Sequence, residues 1–315
     1  MSAMKRFSKI TTTQLARICG VSQGTVDRAL HNRGGINPET RARILEIAKE
    51  YDYRPNVQAG SRSNSMLIGV VLFDLYNEYF SKLAMSLVNE ARKFGYSIIF
   101  QFSGKEEKNE KQALEYFDYI GVDGIVLFSV GSDSVEYKNY LHSLKKPLVL
   151  IGNRLFDLPF VGIDDEKAMY DLSVAIADRV PSGRILYLAP ALKKPLHSIN
   201  AQRMRLRGFV RAMEALGKSY RVVTDVEELS DFGGIVCATD HYALGALKHL
   251  GYPKNIPIAG FDNISMLKNI NVRVLSVEYS TDKIAEEAVN YILGRRYSLR
   301  VAHSLVYNTD EISVL

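Results

Sequence analysis

The sequence predicts an all-α helix-turn-helix headpiece followed by a two-lobed α/β domain. Three observations carry this. Short amphipathic helical segments with turn residues between them fill the first 56 residues. Residues 1–65 hold eleven Lys or Arg against five acids, although the net charge of the 315-residue chain is only +5. From residue 66 onward, strand-length apolar runs alternate with helical stretches in two successive sets.

The first helical segment is "TTTQLARIC" (11–19), where Leu15, Ile18 and Cys19 form one stripe after a run of Thr able to cap its start. Gly20 suits the turn that follows. Ser22 is a good N-cap for a second helix over 22–31, with Val26, Ala29 and Leu30 as its inward stripe. "NPET" (37–40) opens a third helix: Asn37 caps it, Pro38 takes the first helical position, and Ile44, Leu45 and Ala48 follow at core spacing. Three short helices with a tight Gly-containing turn between the first two read as helix-turn-helix.

On the second helix, Gly24 and Arg28 lie nearly opposite Val26 and Leu30, and Gln23 and Asp27 form a flanking i,i+4 pair. These are residue types that meet base edges: Arg donates to guanine in bidentate fashion, and Gln pairs with adenine. Gly24 removes bulk near the helix start. Asp27 accepts from a cytosine amino group, holds Gln23 or a neighbouring Arg in place, or is a surface acid that weakens phosphate attraction. The basic excess of this segment suits a polyanion partner, against the plainer reading of a solvated basic face.

Beyond residue 65, strands are expected at 66–73, 96–102, 124–129 and 147–152, then at 184–189, 220–224, 234–238 and 256–261. Helices are expected at 79–94, 107–119, 133–144, 165–180, 200–217, 240–250 and 281–294. Alternating β and α argues for parallel sheets covered on both faces. Two sets of about four strands suggest two similar lobes, with ligands bound between them beyond the carboxyl ends of the strands. Hinge closure is the obvious response to a ligand there.

Composition narrows the function classes. Hydrophobic residues make up 47% and charged residues 24%, ordinary for a chain with a sizeable core. No apolar run approaches the ~20 residues of a membrane span. The start "MSAMKRFSKI" has no apolar signal region, so a cytoplasmic protein without membrane association is expected. Cys19 and Cys237 are too few for a disulfide framework or a cysteine zinc site. No H-E-x-x-H, Walker loop, G-x-S-x-G or G-x-G-x-x-G occurs, and the six His do not fall at ligand spacing, so neither an enzyme nor a cofactor is expected. His241, beside Asp240, is the one His near the expected cleft.

The stretch "ITTTQLARICGVSQGTVDRALHNRGGINPETRARILEIAKEYDYRPN" (10–56) resembles the DNA-binding headpiece of the lactose-repressor/galactose-repressor family of transcription regulators, and the likeness continues through most of the chain. The resemblance implies that Gln23, Gly24 and Arg28 read bases and that Ser22 and Thr25 contact phosphates. The remainder resembles the periplasmic sugar-binding-protein fold that the family uses as its effector domain. "NEYF" (77–80), "QRMRLRGF" (202–209) and "CATDHYALGALKHL…IPIAGFDN" (237–263) carry that match. By position, Tyr79 and Phe80 would stack on a ligand ring, and Arg205 and Asp262 would bond its polar groups, with Thr239 and Arg154 nearby. Family members often have Asn where Thr239 stands. With no Trp in the chain, an aromatic platform must be Tyr or Phe.

The implied protein is a homodimeric regulator of repressor type, binding double-stranded operator DNA under control of a small-molecule effector, with a sugar or sugar derivative the leading class. The alternative is a solute-binding protein or sugar-active enzyme on the same two-lobed fold. The expected domains are a headpiece at 1–56, a hinge at 57–65, and an effector and dimerisation domain at 66–315. Within the last, one lobe takes about 66–161 and 280–302, and the other about 162–276 and 303–315. No heptad follows the last strand, which favours a dimer over a tetramer. One departure stands out. The family's hinge helix carries A-R-x-L, whereas "VQAGSRSNS" (57–65) has Gly60 in place of the Arg and Arg62 in place of the Leu. An apolar wedge is therefore missing, and Arg62 is expected to lie along the minor groove of an A·T-rich operator centre.

Overall fold

A computed structural model describes residues 12–30, 34–51, 65–132, 134–190 and 200–308. The hinge position Arg62 lies outside them. The chain divides into two compact units, Met1–Ser65 and Met66–Leu315.

The first unit contains helices α1 (Thr12–Cys19), α2 (Gln23–Leu30) and α3 (Pro38–Glu50). Its core is small: Leu15, Ala16, Cys19, Val26, Ala29, Ile44 and Ala48. Ala16 takes the inward place that the sequence stripe gave to Ile18, and Ile18 and Leu45 are exposed. The reason is helical angle. Positions 15, 16 and 19 fall within one arc, and so small a bundle can cover only one arc per helix. Local capping sets the boundaries. The Ser22 Oγ accepts from the Thr25 backbone N–H at 3.2 Å and lies 2.8 Å from the Thr25 hydroxyl. Asn37 accepts from the Glu39 N–H, with Pro38 behind it. Two arginines of α3 tie the unit together: Arg43 donates to the Cys19 carbonyl at 3.1 Å and Arg41 to the Ala29 carbonyl at 3.4 Å. Both acceptors belong to helix ends that have run out of intrahelical donors.

The second unit holds two sheets. The first has five parallel strands in the order β2-β1-β3-β4-β5, formed by β1 (Leu67–Leu72), β2 (Ser97–Phe102), β3 (Gly124–Leu127), β4 (Leu148–Ile151) and β5 (Phe160–Val161). Between them run α4 (Glu78–Lys93), α5 (Glu107–Ile120) and α6 (Val135–Ser143). The second sheet has the order β11-β10-β9-β8-β6-β7, from β6 (Ile185–Leu188), β7 (Tyr220–Val223), β8 (Gly234–Cys237), β9 (Ile258–Phe261), β10 (Val274–Tyr279) and β11 (His303–Tyr307). Its helices are α7 (Asp165–Ala177), α8 (Asn200–Leu216) and α9 (Asp240–His249). Helix α10 (Thr281–Ile292) packs on α4, so the chain returns to the first lobe before closing the second sheet with β11.

Every expected strand and helix beyond residue 65 forms, within a few residues. The sequence reading missed β5, β10 and β11. The first is two residues long, and β11 is an edge strand, antiparallel to β10, whose residues are mostly half-covered and show no apolar run. The β10 strand follows β9 without an α-helix, so it breaks the alternation that identified its neighbours. It also carries the second lobe to Tyr279, three residues past the expected crossing at 276. One apolar core spans both lobes, from Leu83 and Leu87 on α4 to Phe209 and Met213 on α8. Smaller clusters fill the outer face of each sheet. Helices α7 and α8 approach closely because Gly208 faces the α7 backbone, where a Cβ would lie 2.2 Å from the Glu166 carbonyl oxygen.

Candidate DNA-reading face and ligand cleft

On α2, Gln23, Gly24 and Arg28 are exposed and share one side, opposite buried Val26 and Ala29. Ser22 and Thr25 stand at the helix start, bonded to each other, and Asp27 is half-buried on the flank one turn after Gln23. A Cβ at Gly24 would meet nothing nearer than the Ser22 Oγ at 3.9 Å. The fold therefore does not require glycine there, and glycine costs about 1 kcal/mol of helix propensity. Sequence reading missed one contact: the Gln23 amide donates to the Thr13 hydroxyl of α1. This fixes a flexible side chain that would otherwise sample many rotamers.

The ligand cleft lies at the carboxyl ends of the strands of both lobes. A cavity of about 80 Å3 is lined from the first lobe by Phe73, Tyr79, Phe80, Phe128 and Phe160, and from the second by Asp165, Arg205, Thr239 and Asp262. Tyr79 and Phe80 are positioned by the cap of α4, where the Asn77 side chain accepts from the Tyr79 N–H. Phe80 stands edge-on to Phe73 and Phe128, with centroids 4.4 and 4.8 Å away, so it serves the core and the cleft wall together. The Tyr79 ring lies 5.5 Å from that of Tyr279.

Arg205 is the electrostatic centre. Its Nε donates to Asp165 Oδ1 at 2.8 Å and its Nη1 to the Ala238 carbonyl at 2.9 Å. Its Nη2 lies 3.5 Å from Asp262 Oδ1, and the guanidinium carbon stacks 3.5 Å over the Phe261 ring. Burial would lower its pKa, and the two carboxylates more than offset that, so it stays charged. Burial pushes the carboxyls of Asp165 and Asp262 up and Arg205 opposes this, with the charge of Asp262 raising Asp165 further. Two carboxylates share one cation, which leaves the cluster rich in acceptors. Tyr279 donates to Asp262 Oδ1 at 2.8 Å. Asp262 and Asn263 adopt positive φ of 102° and 44°, a conformation that costs non-glycine residues energy.

The supporting groups explain how that turn is held. Asp240 is fully buried, accepting from the Ile264 N–H at 2.9 Å and the Ser276 hydroxyl at 2.8 Å, and burial pushes its pKa well up. It sits in the space left by Gly260, whose Cβ would lie 2.1 Å from Asp240 Oδ1. Across the lobes, the Glu78 carboxylate accepts from the Ser265 N–H at 2.9 Å and its hydroxyl at 2.7 Å. Burial alone would raise Glu78, but these bonds and Lys82 hold it below the usual carboxylate range. Asn200 of α8 donates to the Arg154 carbonyl at 2.7 Å.

Of the six cleft residues expected from sequence, Tyr79, Phe80, Arg205, Thr239 and Asp262 line the cavity. Thr239 takes the N-cap position of α9 without a side-chain cap bond. Arg154 does not line it. After β4, Gly152 turns the chain at φ 63°, Asn153 buries its side chain against the Ser129 carbonyl, and Arg154 emerges into solvent. Asp165 and Tyr279 were missed. The former looked like an ordinary first-turn acid, and the latter sits on the unrecognised β10. His241 does not line the cavity. Among the described residues, no group of three or more His, Cys, Asp or Glu could hold a metal ion, and no helix is long and apolar enough to cross a membrane.

Residues 12–56 match the family model described as bacterial regulatory proteins, lacI family. The chain is 27% identical to catabolite control protein A of Priestia megaterium, over 85% of this chain and 87% of that protein. It is 26% identical to the ribose operon repressor of Bacillus subtilis, over 90% and 91%. A lacI-family regulator structure from Silicibacter pomeroyi superposes with a TM-score of 0.73 at 21% identity, covering 95% of this chain and 98% of that one. The transcriptional regulator CelR in complex with cellobiose gives 0.64 at 20% identity, with the same coverage. The headpiece match, the relatives that run almost the full length of the chain and the two-lobed fold agree: residues 12–56 form a lacI-family helix-turn-helix domain, and the chain is similar to bacterial regulators of that family over most of its length.

Proposed function

We propose that the protein is a cytoplasmic, homodimeric transcription repressor whose hold on operator DNA is set by a sugar-class effector in the lobe–lobe cleft. It has no catalytic role in this reading. The observation that carries it is the coexistence, in one chain, of an exposed Gln23–Gly24–Arg28 face on a capped helix and an acceptor-rich Arg205–Asp165–Asp262 cluster walled by aromatic rings.

Each α2 enters a major groove, so a two-fold dimer requires a near-palindromic operator with separated half-sites. Ser22 and Thr25 contact phosphate, Gln23 and Arg28 meet base edges, Gly24 admits close approach, and Asp27 tunes the neighbouring contact. Arg62 contributes from the minor groove. In the cleft, Asp165 and Asp262 accept from ligand hydroxyls, Arg205 and Thr239 donate, and Tyr79 with Phe80 covers the apolar face of the ring. Aromatic faces beside carboxylates suit a molecule with hydroxyls on its edge and C–H groups on its face. The cellobiose bound by the related regulator CelR belongs to this class. A ligand that binds the closed lobes better than the open ones shifts the population of DNA-competent dimer.

The test is an operator selection from fragmented genomic DNA, followed by anisotropy titrations with a panel of mono- and disaccharides. Specific binding at least 1,000-fold over random DNA is expected, with affinity moved tenfold or more by one sugar. Equal affinity for selected and random DNA would overturn the regulator reading. Indifference to every sugar would overturn the effector class.

A further inference from the structure

Beside the cleft lies a second, more open hollow of about 520 Å3, edged largely by exposed side chains. Tyr79, Asp262 and Tyr279 line both, so these three side chains form the partition. Beyond them the wall changes character. The cleft adds the rings of Phe73, Phe80, Phe128 and Phe160, whereas the second cavity is edged by Lys82, Asn263, Glu278, Ser280, Asp282 and Ser304. We infer that this cavity is a second ligand compartment, built for a polyhydroxylated molecule. The inference rests on the reading of the cleft as a sugar site for its ligand class, and on its own wall for its place.

The wall mixes acceptors with donors, as hydroxyl groups require, since each both gives and accepts a hydrogen bond. The Asn263 amide nitrogen donates to the exposed Glu278 carboxylate at 2.9 Å, which holds that acceptor at the wall. Glu278 and Asp282 are each held by a neutral donor, Asn263 and the Ser86 hydroxyl, and neither has an ion pair among the described residues. Anionic ligands are disfavoured. The Lys82 ammonium is already 2.6 Å from Glu78, and His303 is 3.1 Å from Asp171. The Tyr79 and Tyr279 rings offer the apolar faces on which a sugar or polyol carbon chain rests.

Position gives the compartment its consequence. Its wall includes residues 279–282, where the chain passes from β10 to α10, and residues 302–304, where it returns to β11. Two of the three lobe-to-lobe connections therefore touch whatever occupies it, and the third, at Gly162 and Ile163, lines the cleft instead. The Tyr279–Asp262 bond links it to Arg205, so filling it bears on the cleft cluster directly.

Calorimetric titration of the full chain with D-sorbitol and with cellobiose tests this. Ser304→Phe fills the compartment and Glu278→Ala removes an acceptor; both side chains are exposed, so the fold tolerates either change, and melting temperature checks it. Phe160→Ala alters the cleft alone. At least one probe is expected to bind, to lose tenfold or more of its affinity in each compartment variant, and to stay within twofold in Phe160→Ala. Should Ser304→Phe fail to fold, Glu278→Ala carries the comparison. Binding by neither probe overturns the inference. So does loss confined to Phe160→Ala, or equal loss in all three variants, which describes one continuous site. A compartment variant that changes the oligomeric state in sedimentation, with probe affinity unchanged, makes the groove an interface between copies and also overturns it. Failure of the cleft reading shows separately, as indifference of every bound sugar to Phe160→Ala.

Discussion

The reading face of α2 and the cleft around Arg205 both use arginine, yet in opposite physical settings. Arg28 stands exposed on an eight-residue helix that buries only Val26 and Ala29, with Leu30 packed beside them. Arg205 is 8% exposed, bonded to two carboxylates and a carbonyl, and stacked on Phe261. Under the proposed function, removing the first subtracts only a contact with DNA. Removing the second leaves two buried acids without their cation. The lesson is that the two halves tolerate change differently: specificity on α2 can be altered at little cost to the fold, whereas the cleft's polar residues also hold the lobes' inner walls in shape.

Four substitutions break or sharpen that contrast. The largest effect is expected for Arg205→Ala. Stranding Asp165 and Asp262 destabilises the effector domain by about 3–5 kcal/mol, seen as a fall in the urea midpoint of its unfolding. If stability were untouched, Arg205 would be a ligand contact only, and the contrast with Arg28 would collapse. This also means that Arg205→Ala is a poor test of ligand sensing, and Phe160→Ala a better one.

Next comes Glu110, in the first lobe. It is fully buried and accepts from the Ser129 hydroxyl, the Val130 N–H and the Tyr137 hydroxyl. Burial pushes its carboxyl up to about 7, against the pull of those donors. A carboxyl raised in the folded state favours the protonated form, so its contribution to stability is complete at acidic pH, below the unfolded value. It is lost as pH rises from about 4.5 to 7, on the order of 2–3 kcal/mol. Glu110→Gln should flatten that slope, because the two hydroxyls can turn to accept from the new amide. Melting temperatures of both proteins at pH 5 and pH 8 decide it. Parallel pH profiles would show that Glu110 is ionised throughout.

Arg28→Ala sits on the other side of the comparison. It should leave the melting temperature within error and cost about 1–3 kcal/mol of discrimination at one base pair per half-site. A uniform loss across all sequences would make Arg28 a phosphate contact. The smallest effect belongs to Thr13→Val. It frees the Gln23 amide and should blur preference at the same base pair that Gln23→Ala blurs, by about 1 kcal/mol, while Thr13→Ser preserves it. In a double mutant, Thr13→Val should add nothing to Gln23→Ala. Additive losses would show that the two residues act apart.

Much of this was legible in the sequence because local patterns are short-range physics. Ser22, Asn37 and Pro38 announce helix starts, and short apolar runs announce each expected strand, since both depend on neighbours within a turn or two. Charge crowding in residues 1–65 and the Gln23–Gly24–Arg28 face needed only helical geometry. What escaped was whatever depends on meeting across the fold. Asp165 is one of three acids in "DDE" (164–166), and nothing in that run distinguishes the one that α7–α8 packing delivers to Arg205. Arg154 follows a correctly read strand, but a left-handed Gly152 sends it into solvent. Ile18 and Ala16 are equally plausible in the first helix, and only the size of the three-helix core chose between them. The partition of Tyr79, Asp262 and Tyr279 comes from three segments far apart in the chain. The sequence by itself determined most of the elements, their order and the residue types on the exposed face of α2, because those follow from local sterics and periodicity. Tertiary structure alone decided which charges share a site, which are stripped of water, and where the space between the lobes lies, because burial and distance are properties of the packed chain.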